Sequence, residues 1–352
     1  MCASWRVRSK GLPAPVGRFC FAVVTHESRR DTPRVMATPP RERSLVPVRG
    51  GHLHVEAFGE GRPLVFLHGL ADHMGTWSKI VPLLPPNRRV VLVDLPGHGL
   101  STRQGPFDAD SIASRLLDAF DTLGLDDFDM VAHSLGGAVS LALTPRLGAR
   151  LRRLALLAPA GLSSAVPFHL RLAATIPVRG ALLQPFCGPV TRLIAATPLA
   201  FYDADEARAL AWSNAAPGTM DAWLGTLRAH ISLRGLRPTL SDRIDQLHET
   251  APALSILFGA DDPVIPASHV REVEAVVRNA NICIVPGLGH VPHRQAPLIV
   301  ARWLNDVLEA APMPLERHRP LTVVSGFRSP WYRRASRAIA RFFGFGRPAL
   351  GA

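Results

Sequence analysis

The chain has 352 residues, 47% of them apolar and 19% charged, with 28 Gly and 32 Pro; this excludes a disordered chain, a collagen-like repeat and a disulfide-stapled miniprotein. Its formal charge of +12 sits at the two ends: residues 1–35 carry seven basic and two acidic side chains, residues 311–352 carry eight Arg against Glu316, and 36–310 are neutral. Basicity confined to the ends argues against a nucleic-acid surface on the fold, so no nucleic-acid partner is expected.

Residues 1–43 read as a basic tail outside the fold. The apolar run Phe19–Val24 is followed at once by His26, Glu27, Arg29 and Arg30 without a small-residue cleavage site, which does not fit a signal peptide. Met36 offers an alternative start. Cys2, Cys20, Cys187 and Cys283 show neither metal-ligand nor CxxC spacing, which points to a reducing, cytoplasmic setting with no structural disulfide and no metal. No stretch reaches the roughly 18 apolar residues of a membrane span.

From there the elements alternate. Val46–Arg49 and Leu53–Phe58 flank Gly50-Gly51 as a β-hairpin. Leu64–Leu67 reads as a strand, with a helical stretch near Trp77–Leu84, and Val90–Val93 as a second strand before a helix over about Asp108–Leu123. Phe128–Ala132 leads into a helix over Gly136–Leu147. Leu154–Leu157, Leu254–Phe258 and Ile282–Val285 add short apolar strands, with helices at His269–Val277 and Leu298–Ala311. Strands apolar on both faces, separated by helices, predict an α/β fold with a mostly parallel central sheet covered on both sides. Residues 44–162 and 251–311 form this expected core. Residues 163–250 interrupt it with a helical pattern and no convincing strand, which predicts a cap inserted over the strand ends. Arg171, Arg179 and Arg192 fall in the apolar front half of this block, where no acid occurs between Met130 and Tyr202. Solvated Arg on amphipathic helices is the plainer reading; an anion-attracting mouth is the other.

The chemistry concentrates at Met130-Val131-Ala132-His133-Ser134-Leu135-Gly136-Gly137. A nucleophile on a sharp strand-to-helix turn needs small residues two before and two after it, because the turn brings those backbones together. Such a turn exposes the hydroxyl and sets the Leu135 amide at a helix N-terminus, able to stabilise an oxyanion. Taken alone, the pattern also fits an N-cap serine. With the segments around it, the chain resembles the α/β-hydrolase superfamily over roughly residues 44–311, with Ala132 in place of the first Gly of Gly-x-Ser-x-Gly.

Three further segments carry the resemblance. Leu64–Leu67 ends in His68-Gly69-Leu70, and the resemblance assigns a second oxyanion amide to Leu70; His68 reads as a residue that braces the loop. Asp94-Leu95-Pro96-Gly97-His98-Gly99-Leu100-Ser101 is a familiar structural loop of the superfamily, in which Asp94 is expected to bond nearby backbone. Gly259-Ala260-Asp261-Asp262 and Gly289-His290 follow the last strands, so the resemblance implies the acid at Asp262, with Asp261 as fallback, and the base at His290. The order Ser134, Asp262, His290 is that of the hydrolases. Ala158-Pro159-Ala160-Gly161, where some members carry the acid, has none. His293 reads as a surface or supporting residue.

The resemblance thus implies a cofactor-free serine hydrolase acting on a small-molecule acyl substrate. A serine nucleophile disfavours epoxide hydrolases and dehalogenases, which use Asp there. A carboxylic ester with an apolar acyl group is the leading expectation. A carbon–carbon bond hydrolase or thioesterase, and a non-catalytic ligand-binding relative, are the alternatives. In the Arg-rich tail, 312–352, a helical wheel over Trp331–Phe345 gathers Trp331, Ala335, Ala338, Ile339 and Phe342 opposite four Arg. That face suits either docking on the hydrolase body or peripheral contact with an anionic membrane, at its inner face for a cytoplasmic protein.

Overall fold

The computed structural model describes residues 41–195, 201–240, 242–243, 253–277 and 280–310. The expected tail helix Trp331–Phe345 and residues 1–40 lie outside the described residues. The first strand, β1 (Glu42–Val48), begins two residues ahead of the expected boundary and pairs antiparallel with β2 (Gly51–Phe58) across Gly50-Gly51. Then come β3 (Arg62–Leu67), β4 (Arg88–Val93), β5 (Phe128–His133), β6 (Leu151–Leu157), β9 (Ala253–Gly259) and β10 (Asn281–Val285). Together they form one eight-stranded sheet of order β1-β2-β4-β3-β5-β6-β9-β10, parallel from β4 to β10. Strands buried on both faces explain the continuous apolar runs.

Helices cover both faces. α1 (Ala109–Thr122) starts at Asp108, whose side chain accepts from the Ser111 amide, and buries Ile112, Leu116, Ala119 and Phe120 at helical spacing. α2 (Leu135–Leu147) is apolar all round and almost wholly buried, which suits a helix packed against both the sheet and the neighbouring α1. On the opposite face, α9 (Pro297–Glu309), which follows the short α7 (Val270–Val276) and α8 (Pro292–Gln295), packs Val300, Trp303, Leu304 and Val307 with Phe66 and Trp77. The helix expected near Trp77–Leu84 is instead two 3₁₀ turns, Met74–Trp77 and Val81–Leu83, with Pro82 inside the second.

Between β6 and β9 the chain makes α3 (Phe168–Thr175), α4 (Gly180–Ala195), α5 (Ala204–Asn214) and α6 (Thr219–His230). It also makes a hairpin of two-residue strands, β7 (Ile231–Ser232) and β8 (Gly235–Leu236), which hydropathy did not reveal. Strands this short carry no alternation to read. α5 begins with a capping box in which Asp203 and Glu206 satisfy each other's backbone amides.

One buried ion cluster ties the sheet to its covering helix. Asp129 on β5, fully buried, accepts from Arg88 of β4 at 2.6 Å and Arg153 of β6 at 3.3 Å. These guanidinium groups reach onward to the carbonyls of Leu308 and Ala310 at the end of α9. Removing one partner of such a cluster leaves buried charges uncompensated. Asp129→Ala is therefore expected to cost about 3–5 kcal/mol in urea unfolding, whereas truncating the exposed Asp127 of the neighbouring surface pair should cost under about 1 kcal/mol.

Candidate active site

Ser134 stands between β5 and α2 in a backbone conformation few side chains adopt, with φ +49° and ψ −114°. The turn is tight enough that the Gly136 amide donates to the His68 carbonyl at 3.1 Å. A Cβ at Gly136 would sit 2.6 Å from the Leu67 oxygen, so only glycine fits. Two residues before the serine, Ala132 is fully buried and is tolerated where a glycine is usual.

His290, in the loop after β10, bridges the serine and an acid. Its Nε2 lies 3.0 Å from Ser134 Oγ and its Nδ1 2.8 Å from Asp262 Oδ2. The other oxygen of Asp262 accepts from the Val264 and Ile265 amides at 2.7 and 2.9 Å. An ionised carboxylate can only accept, so Nδ1 carries the proton and Nε2 accepts from the hydroxyl. It is Asp262, not Asp261, that reaches His290.

The two amides singled out for an oxyanion lie on either side of this turn. Leu135 is the first residue of α2, where an amide has no intrahelical partner. The Leu70 amide donates to no protein group among the described residues, and Leu70 lines the same cavity as Ser134. The Leu70 loop is braced from both sides by histidines. His68 Nδ1 donates to the Gly69 carbonyl, and its Nε2 accepts from the Leu95 amide at 3.0 Å. In return, His98 Nε2 accepts from the Ala71 amide at 3.2 Å. Asp94 anchors both loops through the amides of Met74 and Leu100 and through His54. Burial pushes its carboxyl up, but the His54 hydrogen bond and nearby imidazole charge outweigh this and hold it at about 2.

Above the serine lies a cavity of about 420 Å³, walled by Leu183, Phe186, Val190 and Ile194 of α4 together with Trp223 of α6. Among its described lining residues Asp72 is the one carboxylate, and none is Lys or Arg. Asp72 accepts from Tyr202 Oη at 2.7 Å. Burial acts to raise its pKa, yet His73, His68 and the Tyr202 bond together lower it. The insert between β6 and β9 is clasped to the core around this point. Arg294 stacks on Tyr202 at 3.7 Å, pairs with Glu206 and donates to the carbonyls of Phe201 and Thr76. Asn214 of α5 donates to the Ala71 carbonyl at 3.1 Å.

Sequence reasoning passed over His133, Arg294 and Tyr202. His133 Nε2 donates to the His290 carbonyl at 2.8 Å, and its ring lies 5.1 Å from that of His290. Its place beside the serine was the available signal. His293, expected at the surface or in support, is fully buried against Trp77 and His133, with Nε2 2.9 Å from Thr76 Oγ1. Arg294 carried no signal in a chain whose basic residues, apart from Lys10 and Lys79, are all Arg.

The model of the alpha/beta hydrolase family matches residues 64–303. The pimeloyl-[acyl-carrier protein] methyl ester esterase of Nitrosomonas europaea is 27% identical over 70% of this chain and 95% of its own. The 2-hydroxy-6-oxo-2,4-heptadienoate hydrolase of Pseudomonas putida is 27% identical over 76% of this chain and 96% of its own. Among solved structures, the epoxide hydrolase CorEH matches with a TM-score of 0.64 at 19% identity, covering 76% of this chain and 99% of that one. At that identity the likeness is one of fold.

The histidines around the serine make the fold sensitive to acid. Burial lowers His98 to about 3 and His133 to about 4, the second with help from the His290 charge, and burial lowers His68 and His293 as well. In the unfolded chain these rings bind protons near pH 6.5. Between the two values the unfolded state holds more protons, so stability is complete above pH 6.5 and is lost as the pH falls through that window. Each such ring costs up to about 1.4 kcal/mol per pH unit. The urea midpoint should therefore drop steeply from pH 7 to pH 5; a flat profile would contradict the neutral assignment.

Proposed function

Since the chain belongs to the alpha/beta hydrolase family, we propose that it is a serine hydrolase that cleaves a carboxylic ester with an apolar acyl group. The observation that carries this reading is the unbroken hydrogen-bond chain from Ser134 Oγ through His290 to Asp262. Ser134 attacks the acyl carbon while His290 takes its proton, and Asp262 holds the imidazole tautomer and stabilises its charge. The Leu70 and Leu135 amides receive the developing oxyanion. His290 then returns the proton to the leaving alkoxide and activates the water that frees the acyl-enzyme. Every step is served by side chains and backbone of this chain, so the reading calls for no cofactor. The partner is a small acyl molecule, in a cytoplasmic setting.

The cavity favours an ester over the carbon–carbon reading that one relative's name suggests. A dienoate carries a carboxylate, which needs a cation or several donors when it leaves water. The described lining offers neither Lys nor Arg, and it holds the ionised Asp72. Like charges in an apolar cavity repel strongly. A neutral acyl chain meets Leu183, Phe186, Val190, Ile194 and Trp223 instead.

The decisive assay is turnover of p-nitrophenyl esters from acetate to laurate. The Ser134→Ala protein should lose at least about a thousandfold in kcat, and Asp262→Asn about 10³–10⁴-fold. Activity that survives Ser134→Ala would overturn the assignment. A second series tests the charge argument. Each added methylene should raise kcat/KM up to about fourfold until the cavity is full. A monoester of a dicarboxylic acid of equal length should be at least about tenfold poorer, and Asp72→Asn should narrow that gap.

A further inference from the structure

α4 is turned inside out for a helix of a water-exposed cap. Its inward stripe is small or polar: Gly180, Gln184, Cys187, Gly188, Thr191 and Ala195 recur at helical spacing and are the buried or half-buried positions. A Cβ at Gly188 would lie 2.9 Å from that of Ala215, and one at Gly180 would lie 2.4 Å from the Asp221 amide. Small residues thus let α4 lie close against its neighbours. The large apolar side chains face outward, with Leu182 70%, Phe186 63% and Leu193 72% exposed. A surface helix ordinarily shows the reverse pattern, and apolar patches of this extent mark interaction surfaces. The preceding helix, α3, likewise exposes Phe168 and Leu172 at i and i+4, and Ile176 just past its end is exposed as well.

Charge narrows what can cover this face. From Phe168 to Ala195 the chain carries Arg171, Arg179 and Arg192 and no acid. Arg179 and Arg192 are exposed at the two ends of α4, and neither makes an ion pair among the described residues. Pairing the face with itself in a second copy would press four cations against apolar side chains, with no carboxylate in the helix to meet them. A bilayer with anionic headgroups takes up the apolar side chains and neutralises the Arg in one contact.

We propose that the outer face of α4 docks on anionic lipid surfaces. Leu183, Phe186, Val190 and Ile194 both line the cavity and are exposed, so the cavity meets the docking face along this helix. An acyl chain would pass from lipid to Ser134 between these side chains. That passage rests on the ester reading, whereas docking does not. At 16 residues with two Pro inside it, α4 is too short to cross a membrane, so the contact it makes is peripheral.

Co-sedimentation of the full chain with phosphatidylcholine vesicles, with and without phosphatidylglycerol, tests the docking. Leu182 and Leu193 do not line the cavity, so Leu182→Asp/Leu193→Asp should keep the wild-type thermal midpoint while vesicle partitioning falls at least about tenfold. Arg179→Gln/Arg192→Gln should remove much of the phosphatidylglycerol dependence and spare the rest. Equal partitioning of the wild type and the double Asp variant overturns the proposal. So does a wild-type dimer on gel filtration that the double Asp variant dissolves while vesicle binding is unchanged. Because partitioning is read without turnover, a protein inactive on every ester can still pass or fail.

Discussion

The close approach of the β5–α2 turn to the end of β3 is the constraint on which the rest of the site depends. Ser134 can hold its strained backbone only because Gly136 lets α2 sit against the Leu67 and His68 carbonyls. That contact fixes where the hydroxyl emerges at the C-terminal edge of the sheet, the edge at which ligands bind in open α/β sheets. The loops after β9 and β10 leave the same edge, so Asp262 and His290 reach the serine without long excursions of chain. A side chain at position 136 would lift the helix and move the hydroxyl away from a histidine whose position is set by a different strand.

A second layer of order comes from histidines that stay neutral. His68 and His98 each reach across to accept an amide hydrogen from the other's loop, Leu95 in one direction and Ala71 in the other. Asp94 joins them by gathering amides from both sides. The Asp-x-Pro-Gly-His-Gly segment thereby holds the Leu70 loop open at its amide, although none of its own atoms faces the cavity. His133 and His293 form a similar layer behind His290, packed ring against ring. Neutral imidazole is buried at far lower cost than a charged group, and at His68 and His98 it also offers one donor and one acceptor in a rigid plane, both of them used.

Much of this was legible in the sequence, for a physical reason. Strands covered on both faces must be apolar throughout, and a nucleophile turn must have small neighbours, so both leave dense local signatures. Ser134, Asp262 and His290 each follow such a strand, and the geometry brings them into one hydrogen-bonded row. What escaped depends on contacts between distant segments. Arg294 finds Tyr202 and Glu206, and Asn214 finds the Ala71 carbonyl, across separations that no periodicity encodes. The outward-facing leucines of α4 escaped for another reason. Hydropathy shows that a helix is apolar, but it does not say which side meets protein when small residues form the inner stripe.

The clasp around Arg294 bears on how freely such a cap can be exchanged. Its guanidinium stands four residues after His290 and holds the segment that carries Tyr202, while Tyr202 in turn holds Asp72, two residues after Leu70. The insert between β6 and β9 is thus keyed to both loops that frame the serine. A chimera that replaced the insert alone would strand a buried cation and a buried carboxylate in the core. Such a graft has to carry matching changes at 72, 103 and 294, since Arg103 also donates to Ser213 and Thr219 of the cap. The insert and the core are thus joined by side chains from both, through Arg294, Tyr202, Asp72 and Arg103.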